Sequence, residues 1–271
     1  MAETEHAAGD DLIAAPEIER AVEHVGEPHS PLEQFEIDPI LPIQIGPFDL
    51  SFTNSALFMI IAALGVYALV MLGSRQHALV PGRLQSMVEM VYEFIANMVK
   101  DNVGREGRKY FPFFFCLFMF ILLGNLIGLI PGAFTFTSHV IVTFAMAVAV
   151  VAGVTVIGIM RHGTHFFSLF VPEGVPKAMI PIMVPIEIIS YLIRPFSLSI
   201  RLFVNMTAGH ILFKVFAGFV IGLGSIFFLF GLGPLMVLVA VFALEVVVAI
   251  LQAYVFAILS CMYLRDAVHL H

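Results

Sequence analysis

Residues 52–73 read FTNSALFMIIAALGVYALVMLG, free of charge and, as a helix, long enough to cross a bilayer. Such runs recur. Residues 111–130 and 139–160 form two more, and two longer ones occupy 178–219 and 227–264. Backbone inside hydrocarbon must satisfy its own hydrogen bonds, and an unbroken apolar run does so as a helix, because a barrel strand would alternate. Composition agrees. The 271 residues are 60% hydrophobic and 12% charged, where a soluble domain is about a quarter charged. The expected fold class is an all-α polytopic membrane protein. It has transmembrane helices, an amphipathic interfacial helix and a C-terminal hairpin of two long, tilted membrane helices.

Outside the runs the chain is uneven. Residues 1–50 hold 12 of the 20 acids against one base, Arg20, so the formal net charge of −7 belongs to this tail. The membrane part is net basic, and nothing points to nucleic acid. The tail lacks the basic and apolar regions of a secretory signal and the arginines of a transit peptide. With Pro39, Pro42 and Pro47 it reads as largely irregular, with a short helix near 16–25. The membrane domain is expected over 51–271. After Pro81-Gly82, residues 83–100 place apolar side chains at 84, 87, 88, 91, 94, 95 and 98. That is the stripe of an amphipathic helix, which lies on the membrane surface or against a partner helix. Six bases fall in 74–110, none in the loop 131–138 (PGAFTFTS), and Arg161 and Lys177 in the next connection. Positive-inside counting puts 74–110 and the C-terminus in the cytoplasm and the acidic N-terminus outside. Cys116 and Cys261 sit in apolar runs with no metal or redox spacing and read as buried small hydrophobes.

The segment 178–219 would be about 60 Å long as a helix, twice the hydrocarbon thickness, and 227–264 is nearly as long. Gly222, Gly224, Gly231 and Pro234 lie between or just after these limits. Two long tilted helices joined there satisfy both facts. Tilted helices leave wedges that lipid fills poorly, which suits a protein presenting a flank to something else.

This hairpin carries Glu187, Arg194, Arg201, Asn205, His210, Lys214, Glu245 and Gln252. A charge at the bilayer centre costs about 2.5–3.5 kcal/mol on insertion scales, so such residues mark an ion or proton path by default. Glu187, Arg194 and Arg201 are seven apart and share a face, drifting about 20° per step. Asn205 follows Arg201 at i+4, and Glu245 and Gln252 share a face of the second helix. In an antiparallel hairpin, facing residues share a midpoint. Arg201 with Gln252 and His210 with Glu245 both centre on residue 227. Arg201 and His210, nine apart, point to opposite sides of a regular helix. Either the helix is irregular near Gly209 or Arg201 faces a third element. The bland readings are snorkelling for Arg194 and Lys214, interhelical hydrogen bonding for Gln252, and an ion pair of Arg201 with Glu187 or Glu245.

SIRLFVNMTAGH and LQAYVFAILSCMYL, with PFFFCLFMFILLGNLIGLIPG, PIEIISYLIRPFSLSIRL and PLEQFEI, resemble the signature stretches of subunit a of F-type ATP synthases. The resemblance runs from about residue 30 and leaves out the acidic tail. It implies a non-catalytic stator subunit that sits beside a ring of c subunits and supplies two offset half-channels for protons. Subunit b of the peripheral stalk, the remaining synthase subunits and membrane lipid are the other implied partners. The place is a bacterial inner membrane. No cofactor or metal is implied for this chain. Arg201 matches the family's essential arginine. Asn205, His210, Glu245 and Gln252 match positions along the outer-side channel, and Glu187 and Ser197 positions linked to the cytoplasmic one. Many bacterial relatives carry Glu where His210 stands and His where Glu245 stands; here the pair is exchanged, as in mitochondrial and alphaproteobacterial versions.

The residue types suit that implied chemistry. Arginine keeps its charge at any accessible pH. A ring carboxylate arriving protonated from lipid is favoured as its anion beside such a cation, which typically lowers a carboxyl pKa by about 1–3 units. Arginine also blocks a direct leak, because it does not relay protons. The driving force is about 2.3 kcal/mol per charge per 100 mV. No GxxxxGK[ST] occurs, so nucleotide chemistry lies on other chains. Two other classes fit the composition. A secondary transporter would usually show inverted repeats, and none is found. A structural subunit of a respiratory complex has no use for an unpaired Arg201.

Overall fold

The computed structural model describes residues 37–269 apart from 38, 43, 46–47, 50, 75–81, 131, 172–178 and 227. The helix expected near 16–25 lies outside the described residues.

Among the described residues before 51, in the tail expected to be largely irregular, there are short strands. β1 (Pro39–Leu41) pairs antiparallel with β4 (Phe52–Thr53), and β2 (Gln44–Ile45) pairs with β3 (Phe48–Asp49). The two ladders are nested and very short. Pro39 takes the first position of its strand, where the missing N–H costs no ladder bond.

Six α-helices follow. They are α1 (Asn54–Ser74), α2 (Arg83–Val103), α3 (Phe111–Gly128), α4 (Val140–His162), α5 (Ile180–Ile226) and α6 (Phe228–Val268). Within α1 and α3–α6 lie five stretches long and apolar enough to cross a membrane, the one in α4 running on to Phe170. Each of these five helices begins within two residues of the sequence-expected position. α5 runs longer than expected, because Gly222 and Gly224 are tolerated inside the helix rather than ending it, and α6 extends four residues past its expected end. At 47 residues α5 is about 70 Å long.

The C-terminal half of α6 is the hub. Its Ala249, Ala253, Ala257 and Cys261 are buried at four-residue spacing, a small-residue stripe that lets neighbouring backbones approach. Leu198, Leu202 and Met206 of α5, Phe114 and Phe118 of α3, and Ala147, Val150 and Val154 of α4 belong to the same core. α2 joins it with Ile95, Met98, Val99 and Val103, so the apolar stripe of this helix is covered in its C-terminal half by partner helices. Toward its N-terminus Leu84, Met87 and Met90 are exposed. Cys116, expected to be buried, is exposed, because the face of α3 that carries it turns away from α6. Cys261 is buried as expected.

Candidate functional site

The interior of the α5–α6 hairpin holds a ladder of polar contacts. At one level the amide nitrogen of Asn205 donates to Oε1 of Gln252 at 2.7 Å. Further along, His210 Nδ1 faces Glu245 Oε1 at 3.6 Å, and both side chains are nearly enclosed, 11% and 6% exposed. The seven residues from Gln252 to Glu245 separate the two levels by about 10 Å. His210 therefore meets Glu245 as its sequence position predicts. Gln252 does not meet Arg201: it is bonded to Asn205, one helical turn on.

α5 continues as helix through Gly209. A Cβ on Gly209 would lie 2.6 Å from Glu245 Oε1, so the absent side chain is what lets Glu245 reach across. With the helix regular, Arg201 turns away from the hairpin interior, as the nine-residue offset requires. It is exposed, and so are Ser197 and Asn205 at i−4 and i+4. Ile193, Phe196, Ile200 and Val204 surround this line with exposed apolar surface. Among the described residues Arg201 forms no ion pair; Glu245 is engaged by His210 instead.

Arg194 behaves differently. Its Nη1 lies 3.3 Å from Asp266 Oδ2, and its guanidinium sits over the rings of Tyr191 and Tyr263 at 5.3 and 5.1 Å. Tyr191 in turn shares a 2.5 Å hydrogen bond with Thr155 of α4. Arg194 is a clasp between the start of α5 and the end of α6, not a snorkelling cation. Glu187, two turns earlier, is half-buried.

Three elements complete the interior with residues the sequence reading passed over. Thr135, in the loop between α3 and α4, lies 3.0 Å from His210 Nε2 and donates to the Gly128 carbonyl at 3.2 Å. If its hydroxyl hydrogen goes to Gly128, His210 Nε2 is the donor to Thr135, which leaves Nδ1 as the acceptor facing Glu245. Asn125 of α3, fully buried, donates to the carbonyl of Ala249, between Glu245 and Gln252. Thr207 reaches the Ser138 carbonyl at 3.4 Å, and Ser199 bonds Thr143 at 3.0 Å. Asn125 Oδ1, Glu245 Oε1, Gln252 Nε2, Thr137 Oγ1, Ser138 Oγ and His139 Nε2 are buried without a protein hydrogen-bond partner. Buried polar atoms of this kind are where ordered water bonds. At the mouth of the loop, burial holds the His139 imidazole below the ordinary histidine value. Among the described residues no group of three or more metal-ligating side chains occurs.

The profile of the ATP synthase A chain family matches residues 56–265. The chain belongs to that family. The matched stretch contains all seven candidate residues, Glu187, Ser197, Arg201, Asn205, His210, Glu245 and Gln252. A protein from Paramagnetospirillum magneticum named ATP synthase subunit a is 56% identical over 245 residues, covering 89% of this chain and 99% of its own length. Its namesake from Rhodospirillum rubrum is 53% identical over 90% of this chain and the whole of its own length. That from Parvibaculum lavamentivorans is 53% identical, over 90% and 95%. The family is a polytopic all-α one, in keeping with the five spans and the helical hairpin here.

Proposed function

We propose that this chain is the proton-conducting stator subunit of an F-type ATP synthase. It carries two offset half-channels, and Arg201 is the cation at their boundary. The observation that carries the reading is the opposed orientation of two polar sets on one helix. Arg201 stands on an exposed apolar face without an ion pair among the described residues, while His210–Glu245 lies enclosed on the other side of the helix and Asn205, exposed beside Arg201, reaches Gln252 between the two.

A proton reaching the interior past the 135–139 loop meets Glu245 and His210, two groups able to take and release protons. Gln252 and Asn205 continue the polar line toward the level of Arg201, and water at the unused polar atoms would complete it. On the exposed face, a ring carboxylate passing Arg201 gives up its proton, which leaves past Ser197 and Glu187 toward the cytoplasm. The partners on this reading are a ring of c subunits, subunit b of the peripheral stalk and the remaining subunits of the synthase. Nucleotide chemistry stays on those other chains, and this chain has no catalytic centre of its own.

The orientation follows the bases. The N-terminus is periplasmic, and the 100–109 segment and the C-terminus are cytoplasmic, in the inner membrane of a bacterium. Labelling Lys109→Cys in a Cys116→Ser background with an impermeant maleimide checks this; labelling only from the periplasmic side contradicts it.

The contact with the ring is tested by cross-linking. Ile200→Cys, beside Arg201 and 51% exposed, should form a disulfide with a cysteine placed next to the ring carboxylate. Ile141→Cys, 73% exposed on α4, should not. The reverse pattern would mean that the ring sits elsewhere.

A further inference from the structure

Beside the start of α3 lies a cavity of about 760 Å³, separate from the polar ladder. Lys100 from the last turn of α2 and Arg105 and Arg108 from the connection line one part of it. The geometry that gathers them is specific. Gly104 adopts φ +79°, which turns the chain sharply out of α2. Residues Arg105–Lys109 then form a 3₁₀ helix. In that helix positions i and i+3 eclipse, so Arg105 and Arg108 project from the same side. Gly107 seats the turn: a Cβ there would meet Val99 and Val103 of α2 at under 3 Å.

Among the described residues the charges of this cavity are unopposed. No carboxylate among the described residues lines it. Glu106, the nearest in sequence to the two arginines, is held in an ion pair by Arg161 instead. Among the described residues none of the three cations is in an ion pair. Apart from Asn97, the remaining walls are apolar and aromatic. Tyr92 and Phe111 meet edge to face at 4.6 Å, and Val99 and Pro112 lie beside them. Three cations above an apolar, aromatic wall match an amphiphile with an anionic head. A guanidinium binds a phosphate through paired N–H donors, and a basic pocket at the end of membrane helices is a known form of anionic-headgroup site.

We propose that this cavity binds the phosphate headgroup of an anionic phospholipid, with Arg105, Arg108 and Lys100 on the phosphate and the Tyr92–Phe111 wall against the glycerol and first acyl carbons. The lipid would fill the angle between α2 and α3 and hold the amphipathic helix at the membrane surface.

The test uses the intact synthase in phosphatidylcholine vesicles containing a minor fraction of phosphatidylglycerol with a photoactivatable acyl chain. Illumination should attach the lipid to the segment 92–112. Each neutralised cation should weaken retention about fivefold, the ratio that corresponds to about 1 kcal/mol per basic residue near an anionic surface. Arg105→Gln with Arg108→Gln should therefore remove most of the labelling, and Arg83→Gln, a base outside the cavity, should leave it unchanged. If the double variant does not assemble, Lys100→Gln and Arg108→Gln made singly should each give the partial loss. Photoactivatable phosphatidylcholine should not label the segment, and excess inorganic phosphate should not displace the anionic lipid. Labelling insensitive to these charges, equal labelling by both lipids, or displacement by inorganic phosphate would each overturn the proposal, the last in favour of a soluble anion.

Discussion

Two arginines seven residues apart on α5 have opposite surroundings. Arg194 has a carboxylate and two aromatic faces around it; Arg201 has an exposed apolar face. A cation already paired in this way has little charge left to offer a passing carboxylate, whereas Arg201 retains its whole field. The pair His210 and Glu245 is different again, since each is enclosed and each faces the other. Glu245→Gln should therefore impair ATP-driven proton pumping in vesicles. His210→Glu combined with Glu245→His should recover more pumping than either single change. Coupling between residues in contact is about 0.5–3 kcal/mol, a factor of roughly 2 to 160 in rate. A double variant no better than the worse single one would mean that the two residues act independently.

The helices set what those residues can reach. A Cβ at Gly209 would press on the carboxyl of Glu245, whose end is flexible enough to move aside. Gly209→Ala should assemble in normal amounts and pump about ten- to a hundredfold more slowly, because the displaced carboxyl no longer faces His210. Gly209→Val should also lower the thermal stability of the purified complex, by about 1–3 kcal/mol of overpacking. Unchanged pumping in the Ala variant would show that this approach does not matter. The helices themselves were readable from the sequence because each apolar run is long and bounded by charge, glycine or proline. The His210–Glu245 facing was readable because a hairpin fixes which residues share a level. The midpoint rule does not resolve positions within one turn, so it paired Gln252 with Arg201 rather than Asn205. Asn125 and Thr135 were not readable. One is a lone amide in an apolar run and the other a loop hydroxyl, and only tertiary packing brings them to Ala249 and His210. The strands at 39–53 are not legible in the sequence, because two- and three-residue ladders leave no periodicity.

Across the whole molecule, the α5–α6 hairpin separates an enclosed polar interior from an exposed apolar flank, and Arg201 stands on that flank with Ser197 and Asn205 one turn to either side. Coupling on this arrangement requires that a proton cross from one side to the other only by way of the ring, with Arg201 barring the direct route. Arg201→Lys should fail as well as Arg201→Ala, since an ammonium covered by the ring would lose its proton more readily than a guanidinium and lacks the fixed fork of donors. The decisive measurement is proton flux in vesicles carrying the assembled Arg201→Ala complex, with and without the catalytic head. Assembly should be normal, ATP-driven pumping should be lost, and passive conductance with the head removed should persist or rise. Normal coupled pumping by the assembled Arg201→Ala complex would contradict the role assigned to Arg201.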